Sequence, residues 1–213
     1  MAGGGGDDTY FIDNAGDVII ENANEGNDSV SSGINYTLEA NVENLFLSGT
    51  ASIDGTGNVS NNAIFGNAGN NVIDGGAGVD YLAGGAGSDT YVLARGYGAD
   101  LVVEDDATAG NTDLARFLTG IANDQLWFRQ LGNNLEVSII GTSDSLMVQS
   151  WYLGNANHIE QFKTVDGNKT LLDTQVQNLV NAMAAFAPPS AGQTTLPSNY
   201  ATALAPVIAA NWQ

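Results

Sequence analysis

The chain has 213 residues, no cysteine, and 24 acidic against five basic side chains, for a formal net charge of −19. Without cysteine neither disulfides nor a thiolate metal site can hold the fold, and without a basic patch nucleic acid and anionic membrane surfaces are poor partners. No apolar run approaches the roughly 18 residues of a membrane span, so stable insertion in a bilayer is not expected. The charge is uneven: eighteen acids and 21 of the 27 glycines fall in 1–113, where Arg95 is the one base. Such a stretch repels itself and has little drive to collapse alone, a deficit that divalent cations would cancel.

The start, MAGGGGDD, enters a glycine-rich turn at once, with no charged n-region or apolar h-region. It therefore reads as the carboxyl-terminal piece of something larger. The unit GGGGDDTYF (3–11) has glycines at its first, second and fourth positions, Asp8 at the sixth and Tyr10 at the eighth. Residues 12–56 carry short apolar strands at 18–20, 36–38, 45–47 and around Ile53, separated by Asn, Gly, Asp and Ser. They read as coils of a solenoid with loose turns.

From Gly57 the pattern becomes strict. Four nine-residue units follow in register, GNVSNNAIF (57–65), GNAGNNVID (66–74), GGAGVDYLA (75–83) and GGAGSDTYV (84–92). Their sixth positions hold Asn62, Asn71, Asp80 and Asp89, and their eighth hold Ile64, Ile73, Leu82 and Tyr91. Each unit divides into about six turn residues and a strand triplet whose middle side chain points inward. Glycines permit the positive φ that lets carbonyl oxygens face an ion. Ca²⁺ takes six to eight oxygen ligands at about 2.3–2.6 Å, so one Asp per turn cannot complete a shell and neighbouring turns must share each ion.

These residues resemble the RTX nonapeptide, GGxGxDxUx with U apolar, of proteins exported by bacterial type I secretion. The match is complete in 75–83 and 84–92, whereas in 57–74 Asn stands at position six and glycines are missing. The resemblance implies several Ca²⁺ ions, with Gly75, Ala77, Asp80, Gly84, Ala86 and Asp89 around them and Gly76, Gly78, Gly85 and Gly87 completing shells. It extends the ligand set to Gly66, Ala68 and Asn71 before the complete units, and to Gly96, Gly98, Asp100 and Asp113 after them. Gly4, Gly6 and Asp8 join it from the first unit. For the Asn-bearing turns a metal-free array of Gly/Asn turns is the alternative.

An internal duplication widens the pattern. GGGGDDTYF lies 81 residues, nine periods, before GGAGSDTYV. Downstream, Asp17-Val-Ile-Ile-Glu21 resembles Asp100-Leu-Val-Val-Glu104, and Glu25-Gly-Asn-Asp28 resembles Ala109-Gly-Asn-Thr-Asp113. Asp17, Asp28, Asp100 and Asp113 read either as further ligands or as solvated loop carboxylates.

The glycine period stops after Gly98, and from 113 the pattern suggests antiparallel pieces. LWFRQ (126–130) and LEVSII (135–140) flank a Gly132-Asn133 turn and read as a hairpin. SLMVQSWY (145–152) and IEQFKTVDG (159–167) follow. This segment resembles the haemolysin-type calcium-binding related region that follows RTX arrays, and it should cap the open end of the roll. Residues 174–187 read as a helix with Val176, Leu179, Val180, Met183 and Phe186 on one face, capped by Asp173 and ended by Pro188-Pro189. The last 40 residues carry no charge. The resemblance implies an export signal there, recognised by a type I ABC transporter; a packing helix with a loose tail is the alternative.

Catalytic patterns are absent: no Gly-x-Ser-x-Gly elbow, HExxH helix or phosphate loop occurs. The one histidine, His158, reads as structural, and the Asp105-Asp106 pair lies where the family places turn ligands. The expectation is an all-β fold, a parallel β-roll over 1–112 with degenerate coils at 12–56 and its best repeats at 57–104. An antiparallel β cap over 113–173 and a short terminal helix with a tail over 174–213 complete it. The function implied is a monomeric, non-enzymatic calcium-binding module, secreted or at the cell surface, that folds on Ca²⁺ outside the cell and carries the type I signal of a larger protein. A calcium-rigidified adhesion or substrate-positioning module is the alternative.

Overall fold

A computed structural model describes residues 1–213 as two facing sheets wound by one chain, with strands numbered β1–β16 in chain order. The first sheet runs β1 (Thr9–Ile12), β2 (Ser29–Ser32), β4 (Asn44–Leu47), β6 (Ala63–Phe65), β8 (Tyr81–Ala83) and β10 (Ala99–Val102) in parallel. The second runs β3 (Tyr36–Thr37), β5 (Gly55–Thr56), β7 (Val72–Asp74), β9 (Thr90–Leu93) and β11 (Leu114–Phe117), again in parallel. From β2 onward to β11 one coil lays down strands on both sheets. Two nine-residue units therefore make one full turn of the roll, as the register Ile64↔Leu82 and Ile73↔Tyr91 shows.

The eighth-position residues Ile64, Ile73, Leu82 and Tyr91 are fully buried. A three-residue strand turns only its middle side chain to one face, so each rung adds a single residue to the core. At about 1.5–3 kcal/mol per buried aliphatic side chain, the roll's core is thin for its length. Between β1 and β2 the chain makes its turn without a second-sheet strand; Ile19 is buried there while Val18 and Ile20 face solvent. On the outer face of the first sheet Phe46 stacks on Phe65 with ring centroids 4.8 Å apart, and Phe65 meets Tyr81 at 5.4 Å.

The segment after residue 113 corrects one expectation. Both sheets run through that point without a break: β14 (Ser145–Val148) joins β10 in parallel and β15 (Gln161–Thr164) joins β11 in parallel. Only then do the sheets turn antiparallel, through β13 (Asn134–Ile139) and β12 (Leu126–Leu131) on one and β16 (Lys169–Leu172) on the other. The expected hairpin forms, with Gly132 at φ 61° in its turn. Here the core widens into aromatic packing, Phe128 edge-on to both Phe162 and Trp212.

The carboxyl-terminal segment holds two helices where one was expected. α1 (Asp173–Met183) starts on Asp173, with Leu172 as the capping residue, and ends before the proline pair rather than at it. Its expected apolar face is buried through Val176, Leu179, Val180 and Met183. α2 (Ser198–Asn211) follows, with Pro206 inside it. An alanine-rich run favours helix strongly, and the Leu204, Ile208 and Asn211 side chains are the ones it buries. The chain then ends in a backbone pair between Thr170 and Gln213, N–H to carbonyl at 2.9 Å in both directions. The tail is thus docked on β16. No helix is long and apolar enough to cross a membrane.

Candidate metal centres

The turns that precede the strands stack along each edge of the roll, and their sixth-position residues stack with them. On the second-sheet edge the Asn71 N–H donates to Asp89 Oδ1 at 2.8 Å, the Asp89 N–H to Asp113 Oδ1 at 2.7 Å, and the Asp113 N–H to Glu160 Oε2 at 2.7 Å. On the first-sheet edge Asn62 donates to Asp80 at 2.8 Å and Asp80 to Asp100 at 3.0 Å. Farther along that edge Asp8 donates to Asp28 and Asp28 to Glu43, both at 2.8 Å. Each accepting carboxylate is thereby held by one oxygen. The second oxygen of Asp28, Asp80, Asp89 and Asp100, and one oxygen of Asp8, are buried without any partner.

A buried carboxylate oxygen with no donor costs free energy of the order of 1–3 kcal/mol or more. Asp80, Asp89, Asp100 and Asp113 are all at most 3% exposed. Burial pushes the Asp80 and Asp89 carboxyls up to about 6. It pushes Asp100 and Asp113 up to about 7, with neighbouring Asp80 and Glu160 carboxylates adding to it. An array of buried hard oxygens with no Lys or Arg side chain paired to them fits Ca²⁺ by the chemistry of its donors.

The glycines make room for this arrangement. A Cβ on Gly75 would collide with the Asp80 carboxylate, and one on Gly84 with both the Asp89 carboxylate and the Tyr91 hydroxyl. Gly85 and Gly87 take φ of 91° and 124°, and Gly76 and Gly78 repeat the pattern at 80° and 147°. Gly4 and Gly6 do the same in the first unit. Ala77 lies half-buried and Ala86 exposed in the same turns. Gly96 and Gly98 donate their N–H groups to Asp144 at 2.9 and 3.0 Å, so a side chain from the cap holds that turn.

The Asn-bearing turns are built differently. Asn71 Oδ1 accepts the Asn67 N–H at 2.9 Å and its Nδ2 donates to the Ile53 carbonyl at 2.6 Å. Asn62 Oδ1 likewise accepts from Asn58 at 2.7 Å, and its Nδ2 donates to the Val42 carbonyl at 3.1 Å. The amide satisfies itself on both sides, leaving no bare oxygen in the turn that holds Gly66, Ala68 and Asn71. Asp17 stands apart as well, accepting from the Asn14 N–H in its own loop.

Two carboxylates that the nonapeptide pattern does not contain reach these rows. Glu104 brings its carboxylate to Asp89 and Asp113, and Glu21 brings its own to Asp8 and Asp28. In each trio the ligand atoms lie within 4.8 Å of one another, the span of two Ca–O bonds of about 2.4 Å across an ion. Glu104 is pushed up to about 9, by burial first and then by Asp113. Glu21 is raised too, by burial and then by Asp28. Both glutamates accept a hydrogen bond from a tyrosine, Tyr91 and Tyr10 respectively.

Elsewhere the polar groups do structural work. His158 stacks on Trp151 with centroids 3.9 Å apart, and its nitrogens contact the Trp151 carbonyl and Asp173. Asp106 braces its own turn by accepting from Asn111, Thr108 and Gly87, which holds it down at about 2.

Comparison with known proteins agrees with this geometry. The RTX calcium-binding nonapeptide repeat model matches 56–91, and the haemolysin-type calcium binding protein related domain matches 134–169. The iron-regulated protein FrpA of Neisseria meningitidis serogroup C is 38% identical over 93 residues, 43% of this chain and 8% of that one. The endo-1,3-1,4-beta-glycanase ExsH of Rhizobium meliloti (strain 1021) is 41% identical over 66 residues, 31% of this chain and 14% of that one. The chain thus spans a small fraction of these relatives' length. Residues 56–91 are thus similar to RTX repeats, whose ion is Ca²⁺, and the chain contains a calcium-binding module of the kind carried by secreted proteins.

Proposed function

We propose that the module is a folding switch thrown by extracellular calcium, and that residues 174–213 carry the signal by which a type I ABC transporter exports a larger protein. Roll (1–112), cap (113–173) and signal (174–213) are then a division of labour along continuous sheets. The observation that supports the switch is the row of buried, unpartnered carboxylate oxygens. Without cations they oppose folding, and with cations they become ligands.

The magnitudes suffice. With a Kd near ~0.1 mM, within the range around extracellular modules, each site contributes about 1.4 kcal/mol at ~1 mM calcium and almost nothing at cytosolic levels. Four or five sites contribute roughly 6–7 kcal/mol, comparable with a domain's whole stability of about 5–15 kcal/mol. In the Asn62 and Asn71 turns the side-chain amide takes the ion's place. The chain would stay threadable inside the cell and fold outside, which would also oppose return through the channel.

Export of a passenger fused to 114–213, with and without the last 40 residues, tests the signal. Undiminished export of the shortened fusion would sink the assignment. A substrate-positioning role is the second reading, favoured by the outward aromatic cluster of Phe46, Phe65 and Tyr81, with Phe11, 74% exposed, beyond Ser31 on the same face. The glycanase relative makes a 1,3-1,4-β-glycan the probe. If the calcium-loaded module binds none, or binds it equally after Phe46→Ala with Tyr81→Ala, that role fails.

A further inference from the structure

We propose that Asp8–Glu21–Asp28 and Asp89–Glu104–Asp113 are two copies of a distinct calcium site, a three-carboxylate centre that fills before the nonapeptide rungs. This deepens the switch reading and rests on it. The nonapeptide rule places a glycine at the start of every turn. The parallel register that pairs Val102 with Leu82 carries on to set Glu104 beside Gly84. The Ile20 N–H to Met1 carbonyl bond sets Glu21 beside Gly3 in the same way. In both coils a carboxylate therefore stands where the repeat has no side chain.

The two sites agree in detail. Tyr10 and Tyr91 donate to the glutamates, Asp28 and Asp113 accept from the backbone of Asp8 and Asp89, and Glu43 and Glu160 back the row from the following coil. A Cβ on Gly3 would strike the Asp8 carboxylate and the Tyr10 hydroxyl, as one on Gly84 would strike Asp89 and Tyr91. The second oxygens of Glu21 and Glu104 are buried and unpartnered, on residues 7% and 2% exposed. The first trio lies wholly outside the matched repeat segment.

Two physical consequences follow. Once deprotonated, three carboxylates carry −3, more than a divalent ion neutralises, so the site holds Ca²⁺ more tightly than a rung with fewer charges and accepts a trivalent lanthanide. The turns that each site closes are also the longer ones. Six residues lie between Glu21 and Asp28 and eight between Glu104 and Asp113, against four between Gly84 and Asp89. A longer turn costs more entropy to close, and an ion held by both its ends offsets that cost.

Calcium titration by calorimetry on the full chain, with terbium luminescence sensitised by tyrosine, tests this. Two tight ions and a weaker class are expected, with half-saturations about tenfold or more apart. Glu21→Gln and Glu104→Gln should each abolish one tight ion and leave the weaker class, whose persistence shows that the rest of the roll still folds. Asp80→Asn should deplete only the weaker class. Tyr10→Phe and Tyr91→Phe should each lower terbium emission while the calorimetric tight class stays at two. A single class, or tight binding unchanged in both glutamate variants, overturns the two-site proposal while leaving the switch intact. If the wild-type chain takes up no calcium, the switch reading fails instead.

Discussion

Residues 57–74 and 75–92 adopt nearly the same coil, yet one pair of turns is complete and the other is not. The difference lies at the sixth position, Asn against Asp, and in the positive-φ glycines that accompany the Asp. In Asn62 and Asn71 an amide nitrogen donates to the Val42 and Ile53 carbonyls. In Asp80 and Asp89 the corresponding oxygen cannot donate, and it is left buried without a partner. The first pair closes its turns with hydrogen bonds made by the chain itself. The second, with glycines at positive φ in its second and fourth positions, makes a demand for a cation. A solenoid can thus mix self-sufficient coils with ion-dependent ones while keeping one strand register.

Removing calcium is the largest test of that contrast. In chelator the Asp-bearing coils should lose about 6–7 kcal/mol of support, so circular dichroism should show a largely unfolded roll that regains strand signal when calcium returns. A folded spectrum unchanged by chelator would sink the comparison outright. Acid should act in the opposite direction, stabilising the metal-free chain. Asp80 and Asp89 lie raised to about 6, Asp100 and Asp113 to about 7, and Glu104 to about 9, against ordinary values of 3.8 for Asp and 4.5 for Glu. The folded state therefore holds these protons more tightly than the unfolded chain. Its stability rises as pH falls through those raised values and levels off below the ordinary ones. Metal-free chain should gain strand signal between about pH 8 and pH 5, whereas calcium uptake should weaken over the same interval. A metal-free chain that loses strand signal on acidification would contradict the burial of these groups.

Exchange between the two kinds of turn gives a smaller effect. Asp80→Asn with Asp89→Asn should make the chain more ordered in chelator than the wild type and take roughly 3 kcal/mol from its response to calcium, the value of two sites. Asn62→Asp works in reverse. It removes the donor to Val42 and adds a buried charge, costing about 1–3 kcal/mol in chelator, and calcium should recover part of the loss. Thermal melts of both variants with and without calcium decide the matter; equal shifts in the two conditions would mean that the amide does not stand in for an ion.

Much of this was legible because a nine-residue period fixes both the strand and its inward residue. Ile64, Ile73, Leu82 and Tyr91 all occupy the core. Asp80 and Asp89 stand out in the sequence for the same reason. Glu21 and Glu104 did not, although the duplication set their segments side by side, because the repeat template places glycine there and attention falls on Asp17. Asp144 meets Gly96 and Gly98 across 48 and 46 residues, a contact that only the parallel pairing of β14 with β10 creates. α2 was hidden by Pro206, which reads as a breaker, and by alanines that blur the apolar stripe.

The smallest effect separates the cap from the calcium rows. His158 lies between Trp151, on which it stacks at 3.9 Å, and Asp173 at the start of α1, 3.2 Å from its Nδ1. It therefore ties the loop after β14 to the first helix. It touches none of the carboxylate rows. His158→Ala should remove a stacking contact worth about 0.5–1.5 kcal/mol together with the contact to the Asp173 carboxylate. The melting temperature of the calcium-loaded chain should drop by a few degrees. The calcium midpoint should stay where it is, because the cap is stabilised by its own aromatic core and not by ions. A midpoint that moves with the melting temperature would mean that cap and roll fold as one cooperative unit, with calcium binding drawing on the packing of both.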